Sequence, residues 1–124
     1  MSLWEVPPGE AAYPYHYHLG DEELLVVLEG AGRLRTPDGW RELVVGEVLS
    51  FLPGEEGAHQ LVAADDSTLR FLAISNAGGP DITIYPDSGK VGAAVRRPGG
   101  FRELYRRSHA VDYWLGEVPP DSLR

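Results

Sequence analysis

The sequence predicts an all-β domain, a β-sandwich or barrel, because short apolar runs alternate with turn signals along most of the chain. Fifteen glycines and ten prolines interrupt the 124 residues every few positions. No helical period separates the runs between them, which are rich in valine, leucine, phenylalanine and tyrosine. The predicted strands cover residues 3–6, 15–18, 23–28, 32–36, 41–45, 47–52, 59–63, 68–75 and 81–85.

Length, composition and charge limit the organisation and the partners of the chain. A chain of 124 residues corresponds to one domain. The absence of cysteine excludes disulfides, thiolate metal sites and a thiol nucleophile. A formal net charge of −8 argues against general binding of nucleic acid or of anionic membrane surfaces. We expect a cytoplasmic protein, because no leader opens the sequence and no apolar run approaches the roughly 20 residues that span a bilayer.

The predicted strand at residues 15–18 carries two of the four histidines. Side chains alternate between the two faces of a strand, so His16 and His18 share one face, and Tyr15 and Tyr17 share the other. Glu23 begins the next run, where its carboxylate can turn back toward the two imidazoles. The pattern therefore predicts a polar cluster at one end of the domain.

The run LLVVL at residues 24–28 is apolar at every position, which predicts burial on both faces. A small barrel normally exposes the outer face of its strands, so another element must cover Leu24, Val26 and Leu28, or their neighbours of opposite parity. A two-fold partner would do so, and we expect a homodimer. Aromatic residues near the C-terminus offer a second possible cover, namely Tyr105, Tyr113 and Trp114.

Residues 16–30 resemble the first signature of the cupin superfamily, in which an H-x-H pair is followed by glutamate and then glycine. His16, His18, Glu23 and Gly30 match it in order and spacing. Gly9 stands one position further upstream than the usual glycine. The family resemblance extends over about residues 3–85, and the wider pattern is similar to small single-domain bacterial cupins that mostly lack an assigned function.

Residues 46–63, GEVLSFLPGEEGAHQLVA, resemble the second cupin signature, with Gly46, Pro53, Gly57 and His59 in corresponding places. The match departs from the family pattern in three ways. One extra residue separates Gly46 from Pro53, another separates Pro53 from His59, and Ala63 stands where asparagine is usual.

The resemblance implies a double-stranded β-helix, the jelly-roll barrel of cupins, over residues 1–85. Residues 86–124 are then a short, mostly irregular C-terminal extension, packed on the barrel or on a partner chain. The apolar residues at 101, 104 and 105 are compatible with a helical turn or with two more strands, and the sequence does not decide between the two. The aromatic segment 111–116 is expected to pack on the barrel or on a neighbour's sheet edge.

The resemblance also implies a metal site. The family's ligand positions fall on His16, His18, Glu23 and His59, with Glu22 as the alternative to Glu23. Three imidazoles and one carboxylate suit one divalent transition ion, which leaves zinc, iron, manganese, nickel and cobalt open. His109 lies outside both signatures and is expected at the surface.

Two classes of function remain open on the sequence. One is a metal-dependent enzyme of oxygenase, isomerase or lyase type that acts on a small polar molecule in the barrel. The other is a non-catalytic binding or sensing barrel, with a structural metal or none. No catalytic residue is assigned, because no dedicated acid–base pair is visible beyond Glu22, Tyr15 and Tyr17.

Five arginines gather at residues 96–107 of this acidic chain. Such a cluster is typical of a solvated face that makes ion pairs, and an anionic ligand is the less common explanation. They are Arg96, Arg97, Arg102, Arg106 and Arg107.

Overall fold

The computed structural model of the chain describes residues 1–76, 78–118 and 121. Within these residues the chain is almost entirely β-structure, with two short 3₁₀ turns at Glu55–Gly57 and Arg107–His109. No helix among them is long and apolar enough to cross a lipid bilayer. The strands are β1 (Ser2–Val6), β2 (Tyr17–His18), β3 (Glu23–Glu29), β4 (Gly32–Thr36), β5 (Gly39–Glu42), β6 (Val48–Phe51), β7 (Gln60–Ala63), β8 (Leu69–Ser75), β9 (Pro80–Tyr85), β10 (Lys90–Val95) and β11 (Arg102–Arg106).

The described strands pair antiparallel in three sheets that wrap a common interior. The first sheet has the strand order β1-β8-β3-β6. The other two have the orders β5-β4-β7 and β11-β10-β9-β2. An isolated bridge from His16, next to β2, to His59, next to β7, connects these two sheets, and a second bridge joins Ala11 to Val62 of β7. The chain is therefore an all-β jelly roll, which confirms the predicted fold class.

The apolar core lies between the walls and follows the two-residue period of the strands. Leu25 and Val27 of β3 point inward and are completely buried, and Phe71 of β8 is buried beside them. Full burial of each such side chain contributes roughly 1.5–3 kcal/mol to stability. The other members of the core are Val6, Leu34, Leu43, Leu49, Phe51, Leu61, Ala63 and Leu69.

The prediction that LLVVL is buried on both faces is not met within the chain itself. Leu25 and Val27 are buried, but the alternate side chains of the strand lie on the outer face, where Leu24 is 36% and Leu28 is 41% exposed. The C-terminal aromatics do not cover this face, because Tyr113 is 87% exposed. The physical reason is that β3 lies inside a single-layer wall, so the fold covers only one of its faces.

The segment after residue 85 extends one sheet. Strand β10 pairs with β9, and β11 pairs with β10, so of the two alternatives for residues 101–105 the strand is formed. Residues 111–116 are exposed, and Trp114 and Leu115 are each more than half exposed. The division of the chain at residue 85, and the docking of the segment on a partner, stay predictions.

Candidate metal centre

The predicted ligands come from neighbouring strands at one end of the barrel. His18 ends β2 and Glu23 begins β3. His16 and His59 face each other across a bridge, in which each backbone N–H donates to the other residue's carbonyl, at 3.2 Å and 3.0 Å. The 3₁₀ turn Glu55–Gly57 takes up the lengthened loop ahead of His59 and leads the chain into this bridge.

The structure brings the ligand atoms of three of the four predicted residues, His16, His18 and Glu23, into one group and places His59 beside it. His16, His18 and His59 are buried, with exposures of 7%, 8% and 0%. One ligand atom each from His16, His18 and Glu23 lies within 4.8 Å of the others. The Oε1 atom of Glu23 contacts Nε2 of His18, and its Oε2 atom lies 3.7 Å from Nε2 of His59. The alternative ligand Glu22 is exposed and lies outside this cluster.

The Nδ1 atom of every clustered imidazole is within hydrogen-bond distance of an oxygen that can only accept. Each Nδ1 therefore carries the proton and donates it, which leaves a lone pair on Nε2. Fixing the tautomer in this way is how proteins prepare a histidine for a metal. The acceptors are the Pro14 carbonyl for His16 at 2.8 Å, Asp81 Oδ2 for His18 at 2.5 Å, and the Gly57 carbonyl for His59 at 2.8 Å.

Two of these Nε2 atoms make no hydrogen bond and face the oxygens of the Glu23 carboxylate. The Nε2 atoms of His18 and His59 are buried and unsatisfied, although buried polar atoms are nearly always paired. A cation between the imidazoles and the Glu23 carboxylate would satisfy both of them. The donor set is three nitrogens and one or two oxygens, so the residues present fit a divalent transition ion.

The electrostatics hold His16 and Glu23 in the protonation states that bind a metal. Burial, together with the neighbouring His59, lowers the pKa of His16 to about 4. Burial alone would raise the pKa of Glu23, but the imidazoles of His18 and His59 close to its carboxylate outweigh it and hold that pKa well below its usual range. Near neutral pH, His16 is neutral and Glu23 is ionised, as ligands must be. Burial would lower the pKa of His18, but the carboxylates of Glu23 and Asp81 raise it, so a metal ion would displace a proton from His18.

A second layer of polar residues, missed in the sequence analysis, supports His18. Asp81 of β9 is 3% exposed, and its Oδ1 atom accepts the backbone N–H groups of Gly20 and Asp21 at 3.0 Å and 3.2 Å. The guanidinium of Arg96 donates to Asp21 Oδ2 at 2.7 Å. The available signal was a carboxylate that shares the inward parity of Thr83 in the run 81–85.

A cavity of about 330 Å³ opens directly beside the cluster. Tyr13 lines it, and its buried hydroxyl has no hydrogen-bond partner. Burial raises the pKa of Tyr13, so this hydroxyl is a proton donor rather than a base. Tyr15 is not part of the lining, because its ring lies 4.0 Å from the guanidinium of Arg35. The polar lining residues are Ser2, Tyr13, His16, His18, Glu23, Ser75, Thr83, Tyr85, Arg96 and Arg102.

The acid–base candidates and the fourth histidine lie elsewhere. Tyr17 and Glu22 are absent from the cavity lining, as Tyr15 is. His109 is exposed in the second 3₁₀ turn, as expected. Tyr85, which the sequence analysis did not single out, does line the cavity, and its ring centroid lies 6.0 Å from that of His16.

The chain is a double-stranded β-helix with a cluster of histidines and a glutamate at its open end. This combination of fold and site defines its class of protein. The family model described as "Cupin domain" matches residues 2–75. The chain belongs to the cupin family. No curated protein matches it.

Solved structures agree with this assignment. A sugar phosphate isomerase of the cupin superfamily from Silicibacter pomeroyi DSS-3 has a TM-score of 0.78 and 24% identity, over 96% of this chain and 70% of that chain. At this identity the likeness shows the fold alone. A structure from Acidithiobacillus ferrooxidans, whose name proposes the same activity, has a TM-score of 0.72 and 25% identity, over 89% and 68%. The polyketide cyclase RemF from Streptomyces resistomycificus has a TM-score of 0.51 and 32% identity, over 59% and 49%.

Proposed function

We propose that the protein is a metal-dependent cupin that binds a small polar molecule in the cavity beside His16, His18, Glu23 and His59. The observation that carries this proposal is the shared arrangement of the three imidazoles. Each is fixed through Nδ1, and the Nε2 atoms of two of them are buried without a partner. Burying these nitrogen atoms without a partner costs free energy unless a metal ion binds them.

The chemistry of the site divides between the ion and the chain. A divalent ion, when bound, polarises an oxygen of the ligand or lowers the pKa of water. The chain encloses the ligand between Tyr13, Thr83 and Tyr85, which line the cavity. Zinc, iron, manganese, nickel and cobalt all accept this donor set.

Among enzyme types we favour an isomerase. The support is the structure from Acidithiobacillus ferrooxidans, which resembles this chain over most of its length and whose name proposes a sugar phosphate isomerase. Isomerisation of a sugar moves protons between carbon and oxygen, and the Tyr13 hydroxyl is a buried donor beside the ligand cluster.

A non-catalytic binding barrel is the second candidate, and one observation favours it. Glu23 is the single carboxylate among the described residues that line the cavity, and it is taken up by the ligand cluster. That lining therefore offers no free carboxylate as a general base. A barrel of this kind would bind its ligand without turnover.

Turnover measurements separate the two candidates. The protein, loaded in turn with zinc, iron, manganese, nickel and cobalt, is incubated with aldose and ketose phosphates, and the products are followed by NMR. We expect isomerisation that requires the metal and disappears in Glu23→Gln. Saturable binding without turnover in every metal form would assign the barrel to ligand binding instead.

We also propose a homodimer that covers the outer face of the first sheet. This face carries an uninterrupted apolar row, because Leu3, Leu72, Val26 and Val48 are paired across β1, β8, β3 and β6. Val48 is 58% and Leu3 is 50% exposed in the chain alone. A self-complementary apolar face is the usual surface of a two-fold dimer.

A further inference from the structure

We propose that Arg102 binds the anionic end of the ligand, so that this cupin takes small sugars or acids that carry a phosphate or carboxylate group. The inference rests on the proposed function and specifies its ligand class. Arg102 lines the same cavity as His16, His18 and Glu23, although it lies on β11, the far edge of the sheet.

The strand register explains how Arg102 reaches the cavity. Asp81 of β9 is paired with Ala94 of β10, and Ala94 is paired with Arg102 of β11. Paired residues share a face of the sheet, so Arg102 lies on the same face as the buried Asp81 that supports His18. Only the methyl group of Ala94 stands between them in this row. The small side chain leaves room over the sheet for a ligand.

The charges of the cavity favour an anion. The whole chain has a formal net charge of −8, but the described residues of the cavity lining include two arginines and one carboxylate. A divalent ion at the ligand cluster would add two more positive charges. With the ion bound, these positive charges outnumber the carboxylates of Glu23 and of Asp21 and Asp81, which contact Arg96 and His18, so the cavity attracts an anionic ligand and repels a cationic one.

The two arginines have different partners. Arg96 is engaged by Asp21 at 2.7 Å and approaches Asp81 at 3.9 Å. Arg102 makes no ion pair with an acidic side chain in the described part of the chain. Its planar guanidinium is thus free to take a phosphate or carboxylate through two parallel hydrogen bonds.

The position of β11 sets the size of the ligand. Neighbouring strands lie about 4.8 Å apart, so β11 lies about 14 Å from β2 across the sheet. The arginine side chain covers part of this span from one side, and the imidazole of His18 covers part from the other. A ligand of several carbon atoms, with an oxygen at the metal and an anionic group at the other end, spans the remainder.

Calorimetric titration with three hexoses tests this proposal. Glucose 6-phosphate, glucuronate and glucose differ in the group at one end, so they separate phosphate, carboxylate and neutral ligands. Each is titrated into metal-loaded wild type, Arg102→Gln and the matched control Arg106→Gln. Arg106 is an exposed arginine of the same strand that does not line this cavity. Both positions are exposed, so both variants should fold.

We expect wild type and Arg106→Gln to bind one of the charged hexoses at least about tenfold more tightly than glucose, as a charge-assisted hydrogen bond allows. Arg102→Gln should bind all three alike. The phosphate and carboxylate arms then identify which anion the site takes. Equal binding of the three hexoses by wild type, no binding of any, or equal losses in the two variants would overturn the proposal. Metal content, measured on the same samples, reports the failure of the metal site separately.

Discussion

Nδ1 of His18 lies 2.5 Å from Oδ2 of Asp81, although the two residues are 63 positions apart in the sequence. The antiparallel pairing of β2 with β9, which sets His18 opposite Thr83, creates this contact. Asp81 is itself held by two backbone N–H groups, and these hydrogen bonds, with that of His18, offset its burial and keep the pKa of its carboxyl below the usual range. An ionised Asp81 thus fixes the tautomer and the orientation of the His18 ring.

The replacement Asp81→Asn should weaken metal binding without removing a ligand. An asparagine amide can donate to Nδ1 and so favour the tautomer with the proton on Nε2. We expect a loss of about 10–100-fold in affinity, measured by competition with a coloured chelator. Asp87→Asn is the control, because Asp87 pairs with Arg35 at the surface. Equal affinity in Asp81→Asn and wild type would show that Asp81 does not support the site.

Replacing the two adjacent glutamates should have opposite results. Glu23→Gln removes the carboxylate that contacts His18 and lies near His59, so metal content after dialysis should fall severely. Glu22→Gln changes an exposed side chain and should retain the wild-type content. The measurement is inductively coupled plasma mass spectrometry. A loss of metal in Glu22→Gln with retention in Glu23→Gln would reverse the assignment.

Gly57→Ala should destabilise the loop that positions His59. A Cβ atom at residue 57 would lie 1.9 Å from the carbonyl oxygen of Leu52, and the backbone would have to move. The carbonyl that accepts from His59 Nδ1 belongs to the same residue. We expect a loss of about 2–3 kcal/mol in unfolding free energy, measured by urea denaturation. Gly79→Ala is the control, since no atom lies within 4 Å of its added Cβ; similar losses in both variants would contradict the expectation.

The proposed dimer predicts a mass of about twice 13.6 kDa by light scattering at low micromolar concentration. Val48→Glu places a charge in the exposed apolar row of the first sheet and should give the monomer mass. Ile82→Glu, at a residue that is 37% exposed on β9 of another sheet, should remain dimeric. A monomer mass for wild type would contradict the proposed dimer.

Much of the fold followed from local patterns in the sequence. The spacing of glycines, prolines and apolar runs predicted an all-β chain, and the structure confirms it. The period of two placed His16 and His18 on one face, and both are buried while Tyr15 and Tyr17 are only half-buried. These features depend on neighbours in the chain, which a sequence displays directly.

The features that were missed depend on contacts between distant strands. Asp81 could be assigned to His18 only once the pairing of β2 with β9 was known. The position of Arg102 at the cavity likewise requires the register of two further strands. LLVVL appeared buried on both faces because every side chain in it is apolar. The pattern does not show whether the same chain or another molecule covers the second face.

Metal stoichiometry tests whether His16, His18, Glu23 and His59 bind one divalent ion. Protein purified without added chelator is analysed by inductively coupled plasma mass spectrometry, together with His59→Ala. We expect about one transition ion per chain in wild type and a severe loss in His59→Ala. Wild type that retains no ion even after incubation with each of the five metals, or His59→Ala with wild-type content and affinity, would contradict it.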